Sequence, residues 1–438
     1  MRFLILFCFI TFNIARIVAQ DKQQLITTAG SSRATAYSFS NKIIEANDKI
    51  YMLTLDNIRN KYMLILREYS KAQNKVINET IVDSSVKDNH GGGAMVIDNG
   101  GYLHIVYGPH VGPFIYRKSN KPFSTTSLSN PIKFGKDLTY PSLIIDKNDN
   151  LYLFARSSPS NRNWGIVFFK KNKNSGWGTP QNLVEADYSP WGSKSKIKSN
   201  LQFSPYINTS TTAYIDPNGT LHCAFRMYRY LPKNVKNTFA DARNGVSYFV
   251  GYIYSKDGGA TWNAYNKKLS LPIAPPQAER IVGVGKAEDA NGLFEISNIV
   301  VDNQNNPVLG VSSIENSKTR FYIAHRNSST WKVNEINLTN KYLFSPASIS
   351  YYNNELILAT SSIDKSKYHP ARIWGHKDNH LSIMGINLKT MSLKSKFIGS
   401  NSTWFPSIST NSRFSPNIIY MKGHSSSEQN NVYLYQYK

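Results

Sequence analysis

One motif recurs along this chain and limits what it can fold into. It is a short apolar run, an aspartate, a polar turn, and a second apolar or aromatic run. Ala94–Asp98 leads through Asn99-Gly100-Gly101 into Tyr102–Tyr107, and Ser142–Asp146 leads through Lys147–Asn150 into Leu151–Phe154. Ala213–Asp216 with Leu221–Phe225 and Ile299–Asp302 with Pro307–Gly310 repeat the pattern, and Ile349–Leu358 is a weaker copy. Each copy reads as two short antiparallel strands around an Asx-type turn. The aspartates of the four strong copies stand 48, 70 and 86 residues apart, so the unit has the size of a propeller blade carrying loop insertions. Helical periodicity is nearly absent, and an aromatic content of 13% suits pleated sheet. The expectation is all-β: a single β-propeller of six to eight blades at roughly 40–50 residues each, with seven favoured.

A second signature agrees. Ser255-Lys256-Asp257-Gly258-Gly259-Ala260-Thr261-Trp262 has the Asp-box form, in which Asp and Gly make a tight turn, the hydroxyls tie it down and the Trp wedges between sheets. Asp257 is therefore expected to be structural.

Residues 1–20 read as a signal peptide, with Arg2, the apolar run Phe3–Ile10 and Ile17-Val18-Ala19 before a cut. The run is too short for a permanent membrane anchor, and no later stretch could span a bilayer. The mature chain, 21–438, is expected to be one catalytic propeller domain, secreted or held in the periplasm or at the surface of a bacterium. Its single cysteine, Cys223, allows no internal disulfide. The formal charge of +23 points to polyanionic partners. The basic residues, such as Lys170, Lys171 and Lys173, or Lys194, Lys196 and Lys198, are scattered through loops. No interleaved basic–aromatic module argues for nucleic acid.

Antiparallel partners lie equidistant from their turn, so a hairpin can be read by reflection. About Gly100, His90 meets His110; about Asn148, Tyr140 meets Arg156; about Pro217-Asn218, Tyr206 meets Arg229. All three pairs fall at the end opposite the turns, on one rim, where a closed ring makes them converge. Gly91-Gly92-Gly93 beside them lets backbone approach closely.

Glycoside hydrolysis normally needs two carboxylates, and this rim offers only Asp88 nearby. β-Elimination of a uronate polymer fits better. An arginine fork neutralises the carboxylate and steadies the enolate-like charge. A base near neutrality takes the adjacent proton and an acid protonates the departing oxygen. Which of His90, His110 or Tyr140 is the base stays open.

Asp88-Asn89-His90-Gly91-Gly92, Tyr107-Gly108-Pro109-His110 and Thr139-Tyr140-Pro141-Ser142 resemble the BNR-repeat propeller family that includes ulvan lyases. The resemblance implies a seven-bladed propeller that cleaves a sulfated uronate–rhamnose polymer. It implies His90 and His110 as active-site histidines, Tyr140 as acid/base and Arg156 as carboxylate neutraliser. Asn89, Tyr206 and Arg229 are the expected substrate contacts. No dissociable cofactor is required. Some such lyases carry a structural zinc on His and Cys; here Cys223 stands alone beside His222, and neighbours on a strand point to opposite faces. No metal ligand is therefore assigned, and a structural metal and the oligomeric state stay open. His369, His376 and His380 form a looser group, read as a long loop that could overhang the funnel.

Two rival functions share the fold. A sialidase-like hydrolase would require an arginine triad and a Tyr–Glu nucleophile pair, and its Arg-Ile-Pro start motif is missing. A non-catalytic glycan-binding propeller has little use for two adjacent histidines titrating near neutrality.

Overall fold

The computed structural model describes residues 23–159, 163–186, 205–230, 245–284, 292–315, 318–338, 340–368, 375–410, 414–424 and 426–437. Residues 1–20, read as a signal, lie outside them, as do His369 and the lysines at 194–198.

The recurring motif folds as anticipated. In each of the four strong copies one carboxylate oxygen of the aspartate closes the turn and the other holds a side chain from the returning strands. Asp98 accepts the Tyr102 amide at 2.8 Å and faces His104 at 3.1 Å. Asp146 accepts the Asn150 amide at 2.8 Å and the Tyr152 hydroxyl at 2.9 Å. Asp216 does the same for the Thr220 amide and His222, and Asp302 for the Asn306 amide and His325. The period therefore records a turn clamp, a local device with no chemistry of its own.

The chain is all-β, and its described residues contain no α-helix, only 3-10 turns at Pro275–Gln277 and Lys365–Lys367. No helix among them is long and apolar enough to cross a membrane. Successive strands form antiparallel meanders, such as Ile43–Ala46, Lys49–Ile58, Lys61–Ser70 and Lys75–Val86. The next, Ala94–Ile97, Leu103–Tyr107 and Gly112–Lys118, ends on Ile132–Ile145. That last strand is shared. Its first half pairs with Gly112–Lys118, and its second half opens a further meander with Leu151–Ser157, Gly165–Lys171 and Gln181–Glu185. The N-terminal strand Gln23–Gly30 pairs with Asn430–Gln436, so both ends of the chain share one sheet. The layout is propeller-like.

Facing sheets bury apolar layers between neighbouring meanders. Trp262 of the Asp-box is fully buried and meets Phe154 and Phe168 of the preceding sheet edge-on, at 5.8 and 5.4 Å. Asp257 accepts from Ser255 at 2.8 Å and from the Thr261 amide at 2.8 Å, the structural role expected of it.

A polar belt joins the innermost strands around the axis. Asn41, Ser142, Thr212 and Asn298 each stand four residues before the acid of their own turn, and each side chain bonds the backbone of a neighbouring inner strand. Asn41 donates to the Leu143 carbonyl at 3.3 Å and Ser142 accepts the Ala213 amide at 3.3 Å. Thr212 accepts the Ile299 amide at 2.9 Å, and Asn298 accepts that of Ile349 at 2.7 Å. At this position the strand Ala94–Ile97 carries Ala94, with no side chain to contribute, and the belt passes over it from Asn41 to Leu143. A cavity of about 290 Å³ runs along the axis between these strands, lined by Phe39, Ile44, Val96, Ile145, Tyr214 and Ile299. The turns Asp98-Asn99, Asp146–Asn150, Asp216–Gly219 and Asp257-Gly258 gather at one end of the ring.

Candidate active site

The opposite end holds the histidines. His90 sits in the turn between Lys75–Val86 and Ala94–Ile97, where the Gly91 amide bonds the Asp88 carbonyl at 3.2 Å. His110 sits in the loop between Leu103–Tyr107 and Gly112–Lys118. A Cβ on Gly91 would lie 2.2 Å from Val86 and 3.3 Å from the Gly108 carbonyl, so only glycine lets the two loops close on each other. The rings stack at 4.5 Å, 16° from parallel.

Tyr140 stands at the corner of the shared strand Ile132–Ile145. Between Thr139 and Ser142 the register slips by one, and Tyr140 takes φ of 60°. A bulge with an aromatic residue in the left-handed region re-aims that side chain out of the ladder, at a cost on the order of 1–3 kcal/mol. Its ring meets Tyr37 edge-on at 5.2 Å and lies 5.9 Å from His110 and 6.3 Å from His90. Next to it, Thr139 accepts the Val111 amide at 3.0 Å, tying the His110 loop to this corner.

Arg156 comes from Leu151–Ser157, is 4% exposed, and lies between two aromatic rings. Its Cζ is 4.8 Å from the Tyr140 centroid and 5.1 Å from that of Trp164. Its Nη2 is 3.0 Å from His110 Nε2. A guanidinium only donates, so His110 Nε2 accepts and the His110 proton is on Nδ1. Partial burial, then the Arg156 charge and His90, lower the His110 pKa to about 4, so this ring is neutral near pH 7. His90 is fixed from its other side. Asp88 accepts the His90 amide at 2.8 Å and stands 3.2 Å from Nδ1, which leaves Nε2 as the free lone pair. The His90 bond holds the Asp88 carboxyl below its ordinary range. Sequence reading noted Asp88 only as the carboxylate near this rim and gave it no role, although its i, i+2 spacing to His90 was visible.

The four residues expected at one rim therefore come together. Tyr140 and Arg156 do so by a different register, because the bulge pairs Arg156 with Thr139. The third pair is corrected. A register shift between Ile207 and Thr211 sets Tyr206 opposite Tyr228 and Arg229 opposite Pro205. The side chains of Tyr206 and Arg229 lie outside the described residues. Asn89 donates to the Ser32 hydroxyl at 2.7 Å, tying the His90 loop to the N-terminal segment. Of the loose histidine group, His376 faces Asp378 at 3.4 Å and His380 opens a strand.

Asp88, His90 and His110 bring three metal-ligand atoms within 4.8 Å of one another. Near-parallel rings point their in-plane nitrogens alongside each other and not at one ion, and the Arg156 cation occupies His110 Nε2. The trio does not fit a divalent cation. Cys223 is buried, and the His222 ring lies between the Tyr252 hydroxyl at 2.6 Å and Asp216 at 3.4 Å.

A model of the BNR repeat-containing family matches residues 54–338. The chain belongs to that family. A relative, the ulvan lyase of Nonlabens ulvanivorans, is 32% identical over 226 residues, 44% of this chain and 41% of that protein. The chain thus matches about two fifths of that relative's length. A structure described as a polysaccharide lyase family PL25 ulvan lyase bound to -[GlcA(1-4)Rha3S]- superposes with a TM-score of 0.71 at 13% identity, covering 95% of this chain and 96% of that one. The crystal structure of polysaccharide lyase Uly1 gives 0.62 at 13% identity, with 95% and 99% covered. These structural likenesses show that this BNR repeat-containing chain shares their fold.

Proposed function

We propose that this protein is an exported polysaccharide lyase that cleaves a sulfated, uronate-containing glycan of the ulvan kind by β-elimination. Export rests on the signal-like segment 1–20. We read the sheets as seven four-stranded blades, the last completed by Gln23–Gly30.

The observation that carries the reading is the Arg156–His110 contact beside His90 and Tyr140. The two donors, Arg156 and the Nδ1–H of neutral His110, bind the uronate carboxylate and steady the charge that develops when the neighbouring C5–H bond breaks. His90, oriented by Asp88, takes that proton on Nε2. As the C4–O bond breaks, the Tyr140 hydroxyl gives its proton to the leaving oxygen, and a C4=C5 double bond forms. Among the described residues no second carboxylate stands at the site for a hydrolytic route, and the ulvan lyase relative supports the substrate class.

The test is incubation with a panel of uronate polysaccharides, following the ultraviolet absorbance of an unsaturated uronate. New reducing ends without that absorbance would make the protein a hydrolase. Tight glycan binding with no product would make it a lectin.

A further inference from the structure

Lys42 is 2% exposed, and no carboxylate among the described residues pairs with it. A lysine so enclosed is rare without a charged partner. Burial lowers its pKa to about 7. Its surroundings are specific. The Nζ donates to the Gly93 carbonyl, in the glycine run that follows His90. A Cβ on Gly92 would lie 2.9 Å from Lys42 Nζ and 3.2 Å from the Ala36 carbonyl, so the amine, the glycine run and the N-terminal segment share one crevice. The backbone on either side is fixed as well. The Leu53 amide bonds the Lys42 carbonyl at 2.8 Å, and the Met95 amide bonds the Asn41 carbonyl at 3.0 Å.

We infer that Lys42 is a positioning residue for the active site, holding the Gly91–Gly93 run, and through it His90, at the height where its ring stacks on His110. The inference rests on the proposed lyase reading only for its effect on turnover. The physical argument is that a segment of three glycines has no side chains to anchor it and the largest conformational freedom to lose. One buried donor aimed at its last carbonyl supplies the anchor. A misplacement of about 1 Å at a catalytic group can cost on the order of 10²-fold in rate.

The test is Lys42→Met, which keeps the buried stem and removes the donor. In two-bond proton–nitrogen spectra of the histidine rings, His90 signals are expected to move while His104, in its turn clamp, stays. On a competent glycan, kcat should fall at least about ten-fold with KM nearly unchanged. Gly92→Ala reaches the same contact from the loop side and should displace the same His90 signals, which decides the matter if the Met variant folds poorly. A folded variant of either kind with His90 at its wild-type shifts overturns the inference. A wild-type protein without lyase activity on any uronate glycan overturns the functional reading instead, and the ring spectra still decide the role of Lys42.

Discussion

Arg156 and His110 meet at 3.0 Å, a permanent cation against a ring that must stay neutral to accept its hydrogen bond. Protonating His110 breaks that contact and sets two positive charges side by side. Its lowered pKa of about 4 gives the sign: the contact is intact at neutral pH and is lost as pH falls through about 4. Activity should show an acid-side loss there that His110→Gln removes, since a neutral amide has no such step. A pH–rate profile of both proteins checks it, and an unchanged acid limb in the variant would refute it.

Tyr140→Phe should retain fold and glycan affinity while turnover falls about 10²–10⁴-fold, the usual worth of a positioned proton donor. The lost hydroxyl should change stability by at most about 1 kcal/mol. Affinity and rate measured on the same variant decide it, and near-wild-type turnover would pass the acid's role to another group.

Arg156→Lys should recover little of what Arg156→Ala loses. Lysine is a point charge; it cannot reach His110 and a carboxylate with one planar fork, nor lie flat between Tyr140 and Trp164. The comparison is kcat/KM for the two variants, and a lysine variant within a few-fold of wild type would contradict the assigned role.

His104 predicts the acid stability of the fold. It is buried between Asp98 and the Tyr116 hydroxyl, and burial lowers its pKa to about 4. Its folded value lies below its unfolded one, so the unfolded chain binds the extra proton first. Stability should decline from about pH 6.5 to about 4, by on the order of 1–3 kcal/mol. Urea midpoints at pH 7 and 5 should differ in wild type, and differ less in His104→Gln.

Trp262→Ala should cost about 3–5 kcal/mol, as removal of a fully buried tryptophan does, and leave activity per folded molecule unchanged. Thermal unfolding with a single-turnover assay separates the two effects.

Much of this was legible because the repeat is a local device. An aspartate that closes its own turn marks each hairpin within a few residues, and reflection about that turn brought His90 to His110 without tertiary knowledge. Reflection slipped wherever a strand bulged. Thr139–Ser142 loses one residue of register and Ile207–Thr211 loses two, and nothing in their composition marks the slip. Tyr140 still met Arg156 because the bulge swings its ring back over the guanidinium. Trp164 and Lys42 escaped for a different reason. Their partners come from separate turns of the chain, and only packing brings them together.

The pairing of Gln23–Gly30 with Asn430–Gln436 governs how this molecule comes into being. The earliest strand made must wait for the latest. Joining ends about 400 residues apart costs only about 2 kcal/mol more entropy than joining ends about 40 apart, because loop entropy grows with the logarithm of length. What it demands is time, since contacts so distant in sequence form slowly. Until that last pairing, the meanders stand as an open arc with two bare edges that can pair with another chain. Conditions that speed the final closure should therefore raise the yield of active protein more than conditions that strengthen any single sheet.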